Sequence, residues 1–189
     1  MANQDAAFGL KPLGKIGQAA DNNAATEYEV AACASAFAQN DCMAALAAGT
    51  VGIAANTDNG VLLGSMQGVF FTDATTSKPT FANHLKASNT ASDIKGFVSD
   101  DPYERFEIQS DDATAAADVG LNADIVYASG ATPNFVSKVE LDHSDLKTAT
   151  AQLRVLAISN DPSNDTAGSA NVNLVVMINE HFLKGTVGI

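Results

Sequence analysis

Ile94–Gln109 reads IKGFVSDDPYERFEIQ, and the fold class turns on it. In its second half Phe106 and Ile108 fall on one side of an extended chain, with Arg105, Glu107 and Gln109 on the other. That alternation is the period-two signature of a strand with one buried face. Ile94–Val98 is β-branched and aromatic enough to be its partner strand. Between them Ser99–Asp100–Asp101–Pro102 is turn chemistry: Asp side chains bond nearby amides and Pro fixes φ. The stretch predicts an antiparallel hairpin to which further strands are added.

Downstream, Thr148–Ser159 (TATAQLRVLAIS) and Val172–Phe182 (VNLVVMINEHF) carry apolar residues on both faces. They predict two strands covered on both sides and joined as a long hairpin by NDPSNDTAGSAN. Ile125–Tyr127 and Val136–Leu141 read as shorter strands. Upstream, Met66–Thr72 (MQGVFFT) places Phe70 and Phe71 on opposite faces, and Gly64 and Gly68 permit a bend or bulge. Asn59–Gly60 is the strongest short hairpin signal, since both residues tolerate positive φ. Thr26–Ala32 and Cys42–Ala47 read as strands, with a helical turn near Ser35–Gln39 between them and an edge strand at Phe81–Leu85. Roughly ten short strands with turn clusters between them predict an all-β fold, an antiparallel sandwich or barrel with little helix.

Residues 1–25, MANQDAAFGLKPLGKIGQAADNNAA, predict an extended N-terminal arm. Phe8, Leu10, Leu13 and Ile16 are anchors separated by Gly, Pro and Lys, and Pro12, Gly14 and Gly17 break any helical period. Two readings fit it: an arm lying along another subunit, or a disordered tail. Residues 26–183 make a single β-rich domain and 184–189 a C-terminal tail.

Composition narrows the function. Hydrophobic residues make up 46% of the 189, but Ala supplies many and Trp none, so the core rests on small side chains and nine Phe. With 22 Asp+Glu against 10 Lys+Arg, the net charge of −12 opposes nucleic-acid binding, which needs clustered cations. Met1–Leu10 lacks the basic and apolar runs of a secretory signal, and no apolar stretch approaches the ~20 residues of a membrane span. Cys33 and Cys42 are compatible with one bridge, but synthesis in a cytosol favours two reduced, packed thiols.

Catalytic and metal motifs do not assemble. His84, His143 and His181 are unpaired in sequence and neither Cys lies in a CxxC, so zinc spacing is missing. His143 sits in LDHSD, read as a solvated polar turn, and Asp100–Asp101 and Asp111–Asp112 as turn and loop carboxylates. Nucleophile-elbow, phosphate-loop and dinucleotide patterns do not occur. Asp161, Ser163 and Asp165 have EF-hand spacing, but Thr166 stands where Gly is needed and Val172 where Glu is, so an EF-hand is rejected; a looser Ca²⁺ site stays open. No catalytic residue, metal site or cofactor is expected.

Several segments together resemble a known group: GVFFTD (68–73), KPTFAN (78–83), SDIKGFVSDDPYERFEIQSD (92–111), GLNADIV (120–126), AQLRVLAISNDPSND (151–165) and GSANVNLVVMINEH (168–181). The succession is similar to structural proteins of tailed phages of marine bacteria, identified as capsid decoration or cement proteins. It covers about residues 61–189, and MANQDAAFGLKPLGKIG resembles the group's usual start. Ala31–Ala48 departs from it, with Ala and Cys where β-branched residues are expected. The resemblance implies a β-rich protein made in the host bacterial cytoplasm and bound to the outside of the virion capsid. Its implied partners are the major capsid protein and itself, as a homotrimer, with no nucleic acid and no membrane. The function expected is non-catalytic reinforcement of the shell by bridging neighbouring capsomers. Phe8, Leu10, Pro12, Leu13 and Ile16 are the expected partner contacts. The alternative is a tail- or fibre-associated binding module for a host surface glycan or protein, with the loops Asp73–Pro79 and Asp161–Asn171 carrying recognition.

Overall fold

The computed structural model describes residues 3–17, 25–30, 36–54, 60–128, 130 and 134–185. Among them are thirteen strands and three short 3₁₀ turns. In chain order the first eight strands are β1 (Lys11–Lys15), β2 (Thr26–Glu29), β3 (Cys42–Ala45), β4 (Val51–Ile53), β5 (Gly64–Thr72), β6 (Pro79–Ala82), β7 (Lys95–Ser99) and β8 (Glu104–Gln109). The others are β9 (Asn122–Ala123), β10 (Ile125–Val126), β11 (Glu140–Leu141), β12 (Leu153–Ile158) and β13 (Asn173–Ile178). One sheet runs β1-β8-β13-β12-β9; the other runs β2-β7-β5-β3-β4 with β6 also on β5, and β10 pairs β11. All these pairings are antiparallel and the two larger sheets pack together, so the molecule is an all-β sandwich.

The IKGFVSDDPYERFEIQ stretch does form two strands, but they are not partners. β7 lies between β2 and β5, whereas β8 lies between β1 and β13 in the opposite sheet. The predicted hairpin is therefore a crossover between layers. Its turn carboxylates bond outward instead of closing a hairpin. Asp100 accepts from Thr26 Oγ1 (2.9 Å) and Tyr28 Oη (2.6 Å) of β2, and Asp101 pairs with Lys15 Nζ of β1 at 2.7 Å. Asp101 also accepts from the Tyr103 amide at 2.8 Å, fixing the turn.

Period two holds within β8: Phe106 and Ile108 are fully buried. Its other face is not solvated, however. Lys11 and Ser159 bond Glu107, while Gln109 is held by Gln4, Ala6, Asn171 and Asn173. The N-terminal segment and the loop after β12 roof that face. β12 and β13 form the predicted hairpin, from Leu153 opposite Ile178 to Ile158 opposite Leu174. Only one side of it is sealed, because Arg154 and Ala157 are exposed and Val175 and Met177 half-buried.

Two buried clusters stabilise the sandwich. Phe106, Ile108, Leu153, Val155, Leu174 and Val176 meet Leu10, Cys42 and Leu62 in one; Met66, Val69, Phe71 and Val98 meet Phe37, Leu85 and Ile94 in the other. Neighbouring Cys42 and Met43 serve different clusters, as alternation along a strand requires. A bulge between Met66 and Gly68 shifts the parity of β5, which lets Met66, Val69 and Phe71 share one face. Phe71 is buried and Phe70 half-buried, on opposite faces as the sequence predicts.

Several boundaries move. Phe37 and Gln39 make extended bridges to Leu85 and Val136 where a helical turn was expected; Ser35 lies outside the described residues. The edge strand is Pro79–Ala82, and Val136–Leu141 is a strand only at Glu140–Leu141. Asn59 of the Asn59–Gly60 turn and Cys33 lie outside the described residues. Cys42 is a buried free thiol whose pKa is raised, by burial and then by Asp41.

Gly64 marks a close approach of two strands: a Cβ there would stand 2.0 Å from the Ser99 carbonyl oxygen. Gly64→Ala should therefore cost about 1–3 kcal/mol, read as a lower urea midpoint at unchanged slope.

Two buried titratable groups oppose each other. Burial lifts the Asp41 carboxyl to about 6, against the opposing pull of Ser137 and of the Ala38 amide, which donates to Oδ2. Burial, and then Lys184, lowers His181 to about 4; its Nδ1 accepts from the Leu183 amide. Asp41 binds its proton more tightly when folded, so its contribution is full below its unfolded pKa and is lost as pH rises to about 6. His181 has the opposite sign: its contribution is full above its unfolded pKa and is lost as pH falls toward 4. Asp41→Asn keeps the acceptor and removes the charge. Its stability gain over wild type should grow from near zero at the acid end to on the order of 3 kcal/mol at neutral pH. Urea melts across that range check it.

Candidate functional site

β1 is an edge strand, and a bulge between Pro12 and Gly14 throws Leu13 out of the sheet. Leu13 is 40% and Ile16 42% exposed. The Ile16 amide donates to the Tyr103 carbonyl at 2.8 Å, which sets the crossover turn beside the end of β1. Tyr103 is 60% exposed, and Lys184 Nζ lies 4.6 Å from its ring centroid, a cation–π contact. Lys184 follows exposed Leu183 in the last 3₁₀ turn. Three separate parts of the chain, the end of β1, the crossover turn and the last 3₁₀ turn, thus bring exposed apolar side chains together with a cation.

The sheet beside it adds charge. Arg105 and Arg154 both stand opposite Met177, on either side of it, and both are exposed. Arg105 Nε donates to the Gly14 carbonyl and Arg154 Nε to Asn122 Oδ1. Neither of them, nor Lys184, has a salt bridge among the described residues. Burial and the neighbouring Arg154 lower the pKa of Lys184. Lys15 keeps Asp101 ionised and lowers its pKa. In a chain of net charge −12, this is a local concentration of cations.

Of the five expected contacts, Leu13 and Ile16 lie on this surface. Phe8 is half-buried under Lys11 Nζ, 5.8 Å from its ring, and Pro12 lines a cleft with Lys11, Asn40 and Gln67. Leu10 requires correction. It is fully buried in this chain's own core, its amide bonded to Asn40 O and its carbonyl to Ser65 Oγ. Tyr103, Leu183, Lys184, Arg105 and Arg154 escaped the sequence reading. Tyr103, an aromatic residue in an otherwise polar turn, was the one available signal.

The carboxylates singled out in the sequence tie turns together. Asp111 accepts from the His143 amide, Asp112 from Ala113, and Asp161 from Ser163 and Asn173. Asp145 joins Lys147 and Asp124, while His143 Nδ1 lies 3.3 Å from Thr114 Oγ1. Among the described residues no three His, Cys, Asp or Glu groups are placed to hold a metal ion. No helix among them is long and apolar enough to cross a membrane. Family models, curated proteins and solved structures give no match to this chain.

The surface depends on how the crossover is moored. Burial, then the hydrogen bond to Asp100, raises the pKa of Tyr28, so the phenol stays protonated and donates. Tyr28→Phe should cost roughly 1.5 kcal/mol, the low end for a bond to a charged acceptor, and increase amide exchange in the turn at Asp101–Tyr103. Hydrogen exchange with a urea melt checks both.

Proposed function

We propose that the chain is a non-catalytic virion protein that decorates a tailed-phage capsid from outside and stabilises it by bridging neighbouring capsomers. The observation that carries this reading is the set of exposed apolar side chains Ile16, Tyr103 and Leu183 with Lys184 among them, beside exposed Leu13 on the edge strand β1. Apolar residues supply the contact energy and the cations select an acidic partner face. A stable contact needs ~1,000 Å² or more of buried surface, beyond what these few side chains supply alone. The open edge of β1 and the Arg105–Met177–Arg154 row extend it. Many equivalent copies then add avidity without any single tight contact. The resemblance of residues 61–189 to decoration proteins points the same way.

The attachment test leaves Leu10 in place, since that residue belongs to the core. Purified chain is mixed with expanded empty heads of the phage that encodes it, and sedimented. Wild type should co-sediment at many copies per head, and Leu13→Glu/Ile16→Glu should lose most of the occupancy while its urea melt changes little. Equal occupancy by the double variant would remove this surface from the mechanism. Wild type that ignores the heads would remove the function.

A further inference from the structure

A cleft of about 380 Å³ is lined chiefly by Lys11, Pro12, Gln39, Asn40, Gln67 and Ser99. That size falls in the range of small-molecule sites. Three features of the backbone make it. The N-terminal segment is pinned across β3 and β5 by Leu10 N to Asn40 O (2.9 Å), Asn40 Nδ2 to Phe8 O (3.2 Å) and Ser65 Oγ to Leu10 O (2.5 Å). The bulge at Gln67 turns that side chain away from the core its neighbours Met66 and Val69 fill. A parallel bridge from Gln39 to Val136 supplies the far wall.

The backbone here is strained. Asn40 has φ +66°, which Asn tolerates, but Phe135 has φ +48°, an outlier for a bulky side chain. The Gln39 amide donates to the Phe135 carbonyl at 3.1 Å, and the Phe135 ring stacks on His84 at 3.9 Å between centroids, 9° from parallel. Strain of this kind gathers where a surface is shaped for a ligand.

The amides retain unused capacity. Gln67 Nε2 donates to Ser65 Oγ at 2.9 Å and to Asn40 Oδ1 at 3.5 Å, and Gln39 Oε1 takes only a 3.4 Å contact from Asn83. Among the described residues nothing donates to Gln67 Oε1 and nothing accepts from Gln39 Nε2. A donor on Gln39 and an acceptor on Gln67, both lining the cleft, suit hydroxyl groups, which do both. The one cation on the rim, Lys11, is engaged by Glu107 at 3.0 Å, and the net charge of −12 disfavours anions.

We propose that this cleft, between Gln39–Asn40 and Gln67 and beside the His84–Phe135 stack, is a binding site for a neutral saccharide. The amides take its hydroxyls, and the stacked pair braces the Gln39 wall, whose backbone amide donates to the Phe135 carbonyl. The cleft borrows Lys11 and Pro12 from β1, but neither Leu13 nor Ile16 lines it, so the Leu13→Glu/Ile16→Glu variant leaves its lining intact.

The intact chain, ¹⁵N-labelled, is titrated with methyl β-glucoside, methyl α-galactoside and N-acetylglucosamine, with glucuronate and glycerol as controls. At least one neutral sugar should shift the Gln39 and Gln67 side-chain amide signals saturably, with glucuronate weaker and glycerol without saturation. Gln67→Ala and Gln39→Ala should each weaken binding roughly tenfold with the rest of the spectrum unchanged. If Gln67→Ala disturbs the fold, Gln39→Ala carries the test alone. No saturable shift with any of the three sugars overturns the proposal. So does binding that survives both variants, or that glucuronate and glycerol reproduce.

Discussion

Within the five residues Ser99–Tyr103 the chain must leave one sheet and enter the other, and the architecture depends on that passage. Ser99 and Glu104, the last residue of β7 and the first of β8, are both buried and hydrogen-bonded to each other across it. Asp100 is moored to β2 and Asp101 to β1. One short turn therefore ties an outer strand of each sheet to the crossover. It also brings Tyr103 beside Ile16 and Lys184, so the constraint that fixes the layers also assembles the exposed surface.

How far the fold was legible follows from what alternation encodes. Period two identifies which residues of a strand face inward, and it assigns Phe106 and Ile108 to the core, where both are buried. It carries no information about which strand lies alongside. Val98 serves one buried cluster and Phe106 the other, yet their local pattern is the same as in a hairpin. The β12–β13 pairing was legible because two long apolar runs flank a single polar loop. Two-sided apolarity was a poorer guide, since Val175 and Met177 need only half-cover and Arg154 none.

The site was less legible than the fold. Leu10, Leu13 and Ile16 look equivalent in sequence, but one goes to the core and two go outward, because the chain bulges between Pro12 and Gly14. Tyr103, Leu183 and Arg154 are far apart along the chain and meet only through the crossover and the last 3₁₀ turn. The amide cleft was invisible for a similar reason: a bulge turns Gln67 out of a strand that reads as apolar. The N-terminal arm is, over residues 3–17, a roof and an edge strand on its own sandwich. Gln4 and Asn164, 160 residues apart, are joined there by two hydrogen bonds.

Cross-strand nuclear Overhauser contacts in the intact protein test the layer change most directly. The account predicts that Phe106 contacts Val176 on one side and Pro12 on the other, with Phe97 contacting Glu27 and Gly68 in the second sheet. A ladder of contacts joining Lys95–Ser99 to Glu104–Gln109 would contradict it, and the exposed surface at Tyr103 would fall with it.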